Sequence, residues 1–165
     1  MKQIITKHTI DFNEIRRLAL ICHGLGHSTS SFSRKDSNIT LNENLSFILK
    51  NLLSSNLLNL AIAVRVNIYQ LNIKKPDFKM KNSAWFYLDD AIPLEEQPIT
   101  LKDLCDKIIH ADTVEKLIYR EGLISDDCHI ALQLRGKQFK KKWTVNVVLE
   151  KFAEELLNIL DELDN

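Results

Sequence analysis

Residues 43–72, ENLSFILKNLLSSNLLNLAIAVRVNIYQLN, decide the fold of this chain. Their apolar residues recur at helical spacing, and after Leu57 they lie on nearly every side of the predicted helix. A helix of that kind needs neighbours on most of its surface, so we expect it at the centre of a helical domain. The stretch predicts either one long helix or two helices joined near Ser54 and Ser55.

The chain is 165 residues long, the size of one domain, and residues 1–165 are expected to form a single unit. Its 22 basic and 22 acidic residues cancel, so any binding to nucleic acid has to be local. Three separated cysteines without a CxxC pair favour a reducing compartment over a disulfide framework. The start of the chain lacks a signal-peptide run and Arg65 interrupts the longest apolar region. We therefore expect a soluble cytoplasmic protein with no membrane partner.

A first helix is predicted over residues 11–23, DFNEIRRLALICH. Asp11 is placed to cap it, Glu14 follows at capping-box spacing, and apolar residues recur every three to four positions. Gly24 is the expected stop. Residues 24–40 are rich in Gly, Ser and Thr, which favour backbone turns, so we expect a loop and a candidate mobile element there.

The second half of the chain predicts a helix and a hairpin. Residues 101–110, LKDLCDKIIH, place apolar side chains on one stripe behind the cap Thr100. Residues 128–134 and 143–148 alternate apolar and polar side chains on either side of the basic loop 135–142. That pattern predicts an antiparallel β-hairpin.

Residues 149–164 carry the apolar stripe of an amphipathic C-terminal helix. An isolated hairpin is marginal in water, so the predicted hairpin has to lay one face on the helices. That face carries Ile130, Leu132, Trp143 and Val145. The predicted fold class is mainly α (α+β): a helical domain with a long central helix and one antiparallel β-hairpin before the C-terminal helix. Residues 74–82 predict a basic linker, and residues 83–98 predict a short element plus loop around the aromatic cluster Trp85–Tyr87.

His110 lies near the middle of the polar side of the predicted 101–110 helix. Asp106 stands four residues before it, and Asp103 stands four residues before Lys107, so acid, base and imidazole form one surface. A carboxylate one turn before a histidine orients the ring and raises its pKa, which serves a general acid or base. A solvated helix face has the same composition, and the residues leave both interpretations open.

Arg65 is the only charged residue between Lys50 and Lys74. On a central helix its guanidinium lies close to buried surface unless it reaches solvent or meets a carboxylate. Asp103 or Asp106 is the expected partner, either in a structural ion pair or in a site shared with His110. The candidate catalytic residues are Arg65, Asp106, Lys107 and His110.

The segment RGKQFKKKW, residues 135–143, gathers cations around Phe139. Cations and aromatic rings together suit contact with a phosphate backbone and stacking on a base. The candidate nucleic-acid-binding residues are Arg135, Lys137, Lys140, Lys141, Lys142 and Trp143. A solvated hairpin tip has the same composition, and the acidic C-terminal tail is an alternative partner for this patch in a second subunit.

The segment CHGLGH, residues 22–27, brings a thiol and two imidazoles within reach of one ion, and Cys128 with His129 would complete a set. Sets without paired CxxC spacing are seldom zinc sites. The glycines at 24 and 26 lack the third glycine and the preceding strand of a dinucleotide-binding fingerprint. We therefore expect no metal and no cofactor.

The segment LCDKIIHA, residues 104–111, resembles a helix in a group of small bacterial proteins that reads roughly CNKIIHA. Across about residues 45–160 the layout of long helix, hairpin and final helix is similar to the HEPN superfamily of toxin–antitoxin, CRISPR and phage-defence systems. This resemblance implies a metal-independent ribonuclease that acts on RNA as a homodimer. His110 matches the motif histidine and Asp106 loosely matches the polar residue of the motif. The motif arginine has no counterpart, because positions 103–105 are Asp, Leu and Cys.

Two functions therefore stay open. The first is a HEPN-like protein that binds or cleaves RNA, with Arg65 replacing the motif arginine from the neighbouring helix. In that role a guanidinium would stabilise a pentacovalent phosphate while His110 moves a proton. The second is a non-catalytic protein–protein interaction module of the same fold. The missing motif arginine favours the second, and the isolated Arg65 with the centred His110 favours the first.

Overall fold

The computed structural model describes residues 11–32, 42–69, 78–88, 97–118, 130–139 and 141–164. Within these ranges the chain forms four α-helices, one π-helical turn and six strands. In chain order they are α1 (Phe12–Phe32), α2 (Glu43–Val64), the π-helical turn (Arg65–Tyr69), β1 (Lys79–Met80), β2 (Ala84–Leu88), β3 (Ile99–Thr100), α3 (Leu101–Ile109), β4 (Thr113–Ile118), β5 (Ile130–Gln138), β6 (Lys141–Val148) and α4 (Leu149–Asp164). The predicted fold class, mainly helical with an antiparallel hairpin before the last helix, is confirmed.

The long helix α2 runs unbroken through Ser54 and Ser55, and it packs against both α1 and α3. It begins at Asn42, whose side chain accepts a hydrogen bond from the backbone N–H of Leu45. One side of α2 faces the core through Leu49, Leu53, Leu57, Leu60, Ala61 and Val64. The opposite side is exposed. Residues Glu43–Tyr69 are long and apolar enough to cross a membrane by length and composition, and about a third of the most apolar stretch is buried.

The start of α1 was predicted correctly. The backbone N–H of Glu14 donates to Asp11 Oδ1 at 3.0 Å, which caps the helix. The Glu14 carboxylate does not close a capping box, because it accepts two hydrogen bonds from Arg17 at 2.7 Å. That hydrogen-bonded guanidinium holds the pKa of Glu14 below its ordinary value.

The predicted stop at Gly24 is wrong, because α1 continues to Phe32. Packing against α4 explains the extension: Gly26 is buried beside Glu150, and a Cβ atom there would lie 2.9 Å from Glu150 Oε2. The Thr29 hydroxyl donates to the carbonyl oxygen of residue 25 at 2.6 Å, within the helix. The rest of the predicted loop, residues 33–40, lies outside the described residues.

The predicted hairpin forms the middle of a four-stranded antiparallel sheet with strand order β2-β6-β5-β4. Its strands are longer than predicted, because β5 runs to Gln138 and β6 begins at Lys141. The aromatic cluster forms β2, which pairs with β6. Strands β1 and β3 make a separate antiparallel ribbon, which a bridge between Phe86 and Gln97 joins to β2.

The core lies between one face of this sheet and the helices. The hairpin contributes Leu132, Leu134, Trp143, Val145 and Val147, all buried as expected. The side chain of Ile130 lies outside what the structure describes. The predicted stripe of α4 is also buried, and it comprises Leu149, Phe152, Leu156, Ile159 and Leu160. Arg16 ties α1 to the end of α4 through ion pairs at 3.0 Å with Asp161 and 2.5 Å with Asp164.

Gly136 and Trp143 face each other across the hairpin, and a Cβ atom at Gly136 would lie 2.3 Å from Trp143 Cζ2. We expect Gly136→Ala to lower the free energy of unfolding by about 1–3 kcal/mol, because the buried indole has no room to move. The matched control is Gly24→Ala, where the added methyl meets no atom within 4 Å and the residue is helical. That control should gain up to about 1 kcal/mol. Urea denaturation of both variants checks the pair, and equal effects would contradict it.

Candidate functional site

Three elements meet at one open groove with a volume of about 530 Å³. The π-helical turn after α2, the helix α3 and the tip of the β5–β6 hairpin each supply side chains to it. Its lining residues are Arg65, Asp106, Lys107, His110, Lys137, Gln138 and Trp143. All four candidate catalytic residues therefore line the same groove, and one of the predicted basic residues, Lys137, joins them.

Arg65 occupies the point where α2 changes from α-helix to the π-helical turn. Such turns widen the helix locally and are frequent at functional sites. The guanidinium carbon lies 5.7 Å from the centre of the Tyr69 ring, one turn further on. Helical spacing could not predict this turn, because its residues fit an ordinary α-helix equally well.

Arg65 Nε and Asp106 Oδ1 form an ion pair at 2.6 Å between the end of α2 and α3. Asp106 was one of two expected partners; the other, Asp103, accepts a hydrogen bond from the hydroxyl of Thr100 and helps to begin α3. The side chains of Arg65 and Asp106 are 29% and 37% exposed. The pair is therefore not sealed in the core, and it forms part of the groove wall.

Lys107 lies over the faces of two aromatic rings at the floor of the groove. Its Nζ atom is 4.7 Å from the ring of Trp143 and 5.3 Å from the ring of Phe86, and it donates to Gln138 Oε1 at 2.5 Å. Cation–π contact of this kind stabilises an ammonium group that has lost part of its water. Burial lowers the pKa of Lys107, and two carboxylates on the same helix oppose that shift.

His110 ends α3, and its backbone N–H donates to the carbonyl oxygen of Asp106 at 3.0 Å. Its side chain is exposed at the rim of the groove. Its place opposite the apolar stripe of α3 follows from helical spacing, as the sequence predicted.

The basic segment of the hairpin is not a loop, because Arg135 and Lys137 belong to β5 while Lys141 and Lys142 belong to β6. Lys137 alone of these cations lines the groove. Arg135 turns instead toward Glu115, at 3.8 Å, and also bonds Gln133. Lys140 lies outside the described residues.

Trp143 was predicted to be available for stacking, and the structure contradicts this because the side chain is only 2% exposed. Its ring packs on Gly136 and supports the floor of the groove. The exposed aromatic residue of the hairpin is Phe139, which is 91% exposed at the turn. Phe139 adopts a positive φ of 50°, a conformation that bulky residues rarely occupy.

The cysteine and histidine segment of α1 does not assemble a metal site. Cys22 points into the core, and burial raises the pKa of its thiol to about 12. The rings of His23 and His27 meet edge to face at 4.6 Å, and His23 Nε2 lies 3.1 Å from Glu154 Oε1. Among the described residues no group of three His, Cys, Asp or Glu side chains is placed to hold a metal ion. Residues 128 and 129 lie outside the described ranges.

No family model matches the chain. No curated protein and no solved structure matches it either. The groove has therefore to be interpreted from its own geometry and charge.

We predict that the Arg65–Asp106 pair contributes little to stability, because both side chains are partly exposed and water screens the charges. A double-mutant cycle with Arg65→Gln, Asp106→Asn and the combined variant should give a coupling free energy below about 1 kcal/mol. The coupling should shrink in high salt. A coupling of about 3 kcal/mol or more would mean a buried structural bridge and would contradict an open, ligand-accessible guanidinium.

Proposed function

We propose that this chain is a HEPN-like, cytoplasmic RNA-binding protein of a bacterial defence or toxin–antitoxin-type system, and that its groove holds a phosphate of the RNA backbone. The observation that carries the proposal is the convergence of Arg65, Lys107 and Lys137 from three separate elements on the groove that His110 borders. Among the described lining residues, Asp106 is the one carboxylate. The groove is thus locally cationic in a chain whose overall charge is zero.

A phosphodiester fits this arrangement of donors. Asp106 occupies the Nε–H of Arg65, whereas a guanidinium has four further N–H donors on its two terminal nitrogens. Those donors match two oxygens of one phosphate. Lys107 and Lys137 would add point charges from the floor and from the hairpin side of the groove. An incoming phosphate would also return the Lys107 pKa toward its ordinary value, because the anion favours the charged ammonium.

Cleavage of the bound strand is the stronger form of the same proposal. His110 would accept the proton of a ribose 2′-hydroxyl while the 2′-oxygen forms a bond to phosphorus. Arg65 would stabilise the added negative charge on the phosphate oxygens. The P–O5′ bond would then break, and the departing oxygen would take a proton from the imidazolium or from water. This step needs no metal, in keeping with the expectation from the resemblance.

We expect Arg65→Ala and Lys137→Ala to weaken binding of a fluorescent single-stranded RNA by about fivefold to tenfold each, because each loses a phosphate contact. Each should reduce the salt dependence of the affinity by roughly one ion. Lys102→Ala is the matched control, since Lys102 is exposed on α3 and does not line the groove. Anisotropy titrations at several salt concentrations measure all three. The proposal fails if Arg65→Ala and Lys102→Ala behave alike.

His110→Ala separates binding from cleavage. If the protein cleaves RNA, this variant should lose about a hundredfold or more in single-turnover rate, because the proton carrier is missing. It should bind RNA within about threefold of the unmodified protein, because Arg65, Lys107 and Lys137 are the groups proposed to contact the phosphate. Gel analysis of the products under chelator measures the rate. Unchanged cleavage by His110→Ala would mean that a contaminating nuclease cleaves the RNA. Only the RNA-binding part of the proposal would then remain.

A second candidate function, a non-catalytic protein–protein interaction module, is favoured by the exposed apolar side of α2. Leu52 and Phe47 on that side are 45% and 65% exposed. Two substitutions distinguish the two candidate functions. An interaction module loses its partner when Leu52 is replaced by Glu and keeps it when Arg65 is replaced by Ala, whereas an RNA-binding protein shows the reverse pattern for RNA.

A further inference from the structure

The outward side of α2 exposes four large aliphatic side chains in one row: Ile48, Leu52, Leu58 and Ile62 are 53%, 45%, 38% and 43% exposed. No described residue covers them. Singly exposed apolar residues are ordinary, but a contiguous apolar row on one helix marks an interaction surface. Within α2 the charged residues are Glu43 and Lys50, and neither belongs to this row.

The row is symmetric about Ser55. Three residues away on either side stand Leu52 and Leu58, four away stand Asn51 and Asn59, and seven away stand Ile48 and Ile62. At about 100° per residue all seven side chains lie within about 60° of the Ser55 direction. The symmetry ends eight residues away, where Phe47 and Ala63 differ. The other sides of the helix are not symmetric: Lys50 and Leu60, each five residues from Ser55, differ in chemistry.

An antiparallel pair of identical helices related by a two-fold axis places each residue opposite its mirror position. With the axis at Ser55, Leu52 meets Leu58 of the second copy, and Ile48 meets Ile62 of the second copy. Such an isologous interface requires a row of residues that reads the same in both directions along the helix, as this row does. We propose that the outward side of α2 is a homodimer interface in which two copies of this chain pack antiparallel about Ser55.

The chemistry of the row favours a second copy over a lipid surface. Asn51, Ser55 and Asn59 lie among the aliphatic residues, and burying them in hydrocarbon without partners is costly. In the dimer Asn51 faces Asn59 of the second copy, and two amides can each donate to and accept from the other. The serine at the axis is small enough to let the helices approach closely. The row also lacks the lysines and arginines that bind anionic headgroups.

The interface is small. Ile48 and Ile62 are fourteen residues apart, which is about 21 Å of helix. One helix pair of that length lies at the low end of specific interface sizes. The dimer should therefore dissociate on dilution. Because the row does not include the groove residues, the inference stands or falls independently of RNA binding.

Cross-linking at the axis tests the geometry directly. In a chain with Cys128→Ser, the remaining cysteines Cys22 and Cys105 are buried and inaccessible. Adding Ser55→Cys should give an oxidised dimer of twice the 19.1 kDa chain mass, because the two sulfurs meet at the axis. Lys50→Cys is the control, because Lys50 is exposed on α2 but lies outside the row. This variant should form no disulfide-linked dimer. Equal cross-linking by both variants, or by neither, overturns the proposal.

Paired charges test the register. By sedimentation velocity, Leu52→Glu alone and Leu58→Lys alone should each weaken self-association about tenfold or more, because a charge is buried against leucine. An equimolar mixture of the two variants should recover the dimer, since glutamate then meets lysine of the other copy while the second contact stays leucine to leucine. Circular dichroism verifies that both variants fold. A dimer insensitive to Leu52→Glu, or a monomer that sediments with phosphatidylcholine vesicles, would overturn the proposal.

Discussion

The contact between Trp143 and Gly136 connects the core of the sheet to the floor of the groove. The indole is buried at the centre of the sheet, and the missing side chain of its cross-strand neighbour is what leaves room for it. On its other side the same ring lies 4.7 Å from the Lys107 ammonium. The ring is therefore at once a core residue and the floor of the groove, and Lys107 of α3 contacts the hairpin through it.

The groove depends on that arrangement because no single element supplies it. Arg65 belongs to the π-helical turn, Lys107 to α3 and Lys137 to β5. Cations brought together this way repel one another, and the structure offsets the repulsion with one carboxylate, two aromatic faces and the Gln138 carbonyl. An anionic ligand would relieve the remaining repulsion, which is the physical basis of the proposal that the groove binds a phosphate.

The parts of the fold that depend on local spacing were predictable. The caps at Asp11 and Thr100, the apolar stripe of α4 and the hairpin all follow from residues within a few positions of one another. The link between Arg65 and the α3 carboxylates was also predictable, because an isolated cation in an apolar helix needs a partner.

The features that sequence reasoning missed depend on contacts between residues far apart in the chain. Gly24 failed to end α1 because α4, over a hundred residues later, packs along its second half. Strand β2 was not recognised as part of the sheet, since its partner β6 lies about sixty residues further along the chain. The sequence placed Trp143 both on the core face of the hairpin and among the nucleic-acid-binding residues, and its burial agrees only with the core face. Strand β4 was not predicted.

The pairing of α1 with α4 has a consequence for how the protein is made. The first and last described helices pack on each other, and Arg16 bonds to Asp161 and Asp164 in the last turn of α4. A ribosome releases the N-terminal end of a chain first, so α1 emerges long before its main packing partner exists. The part of the α1 surface that packs on α4 stays uncovered, or bound by a chaperone, until α4 has been synthesised. A premature stop codon that removes only α4 would therefore yield an aggregating fragment and not a shortened functional protein.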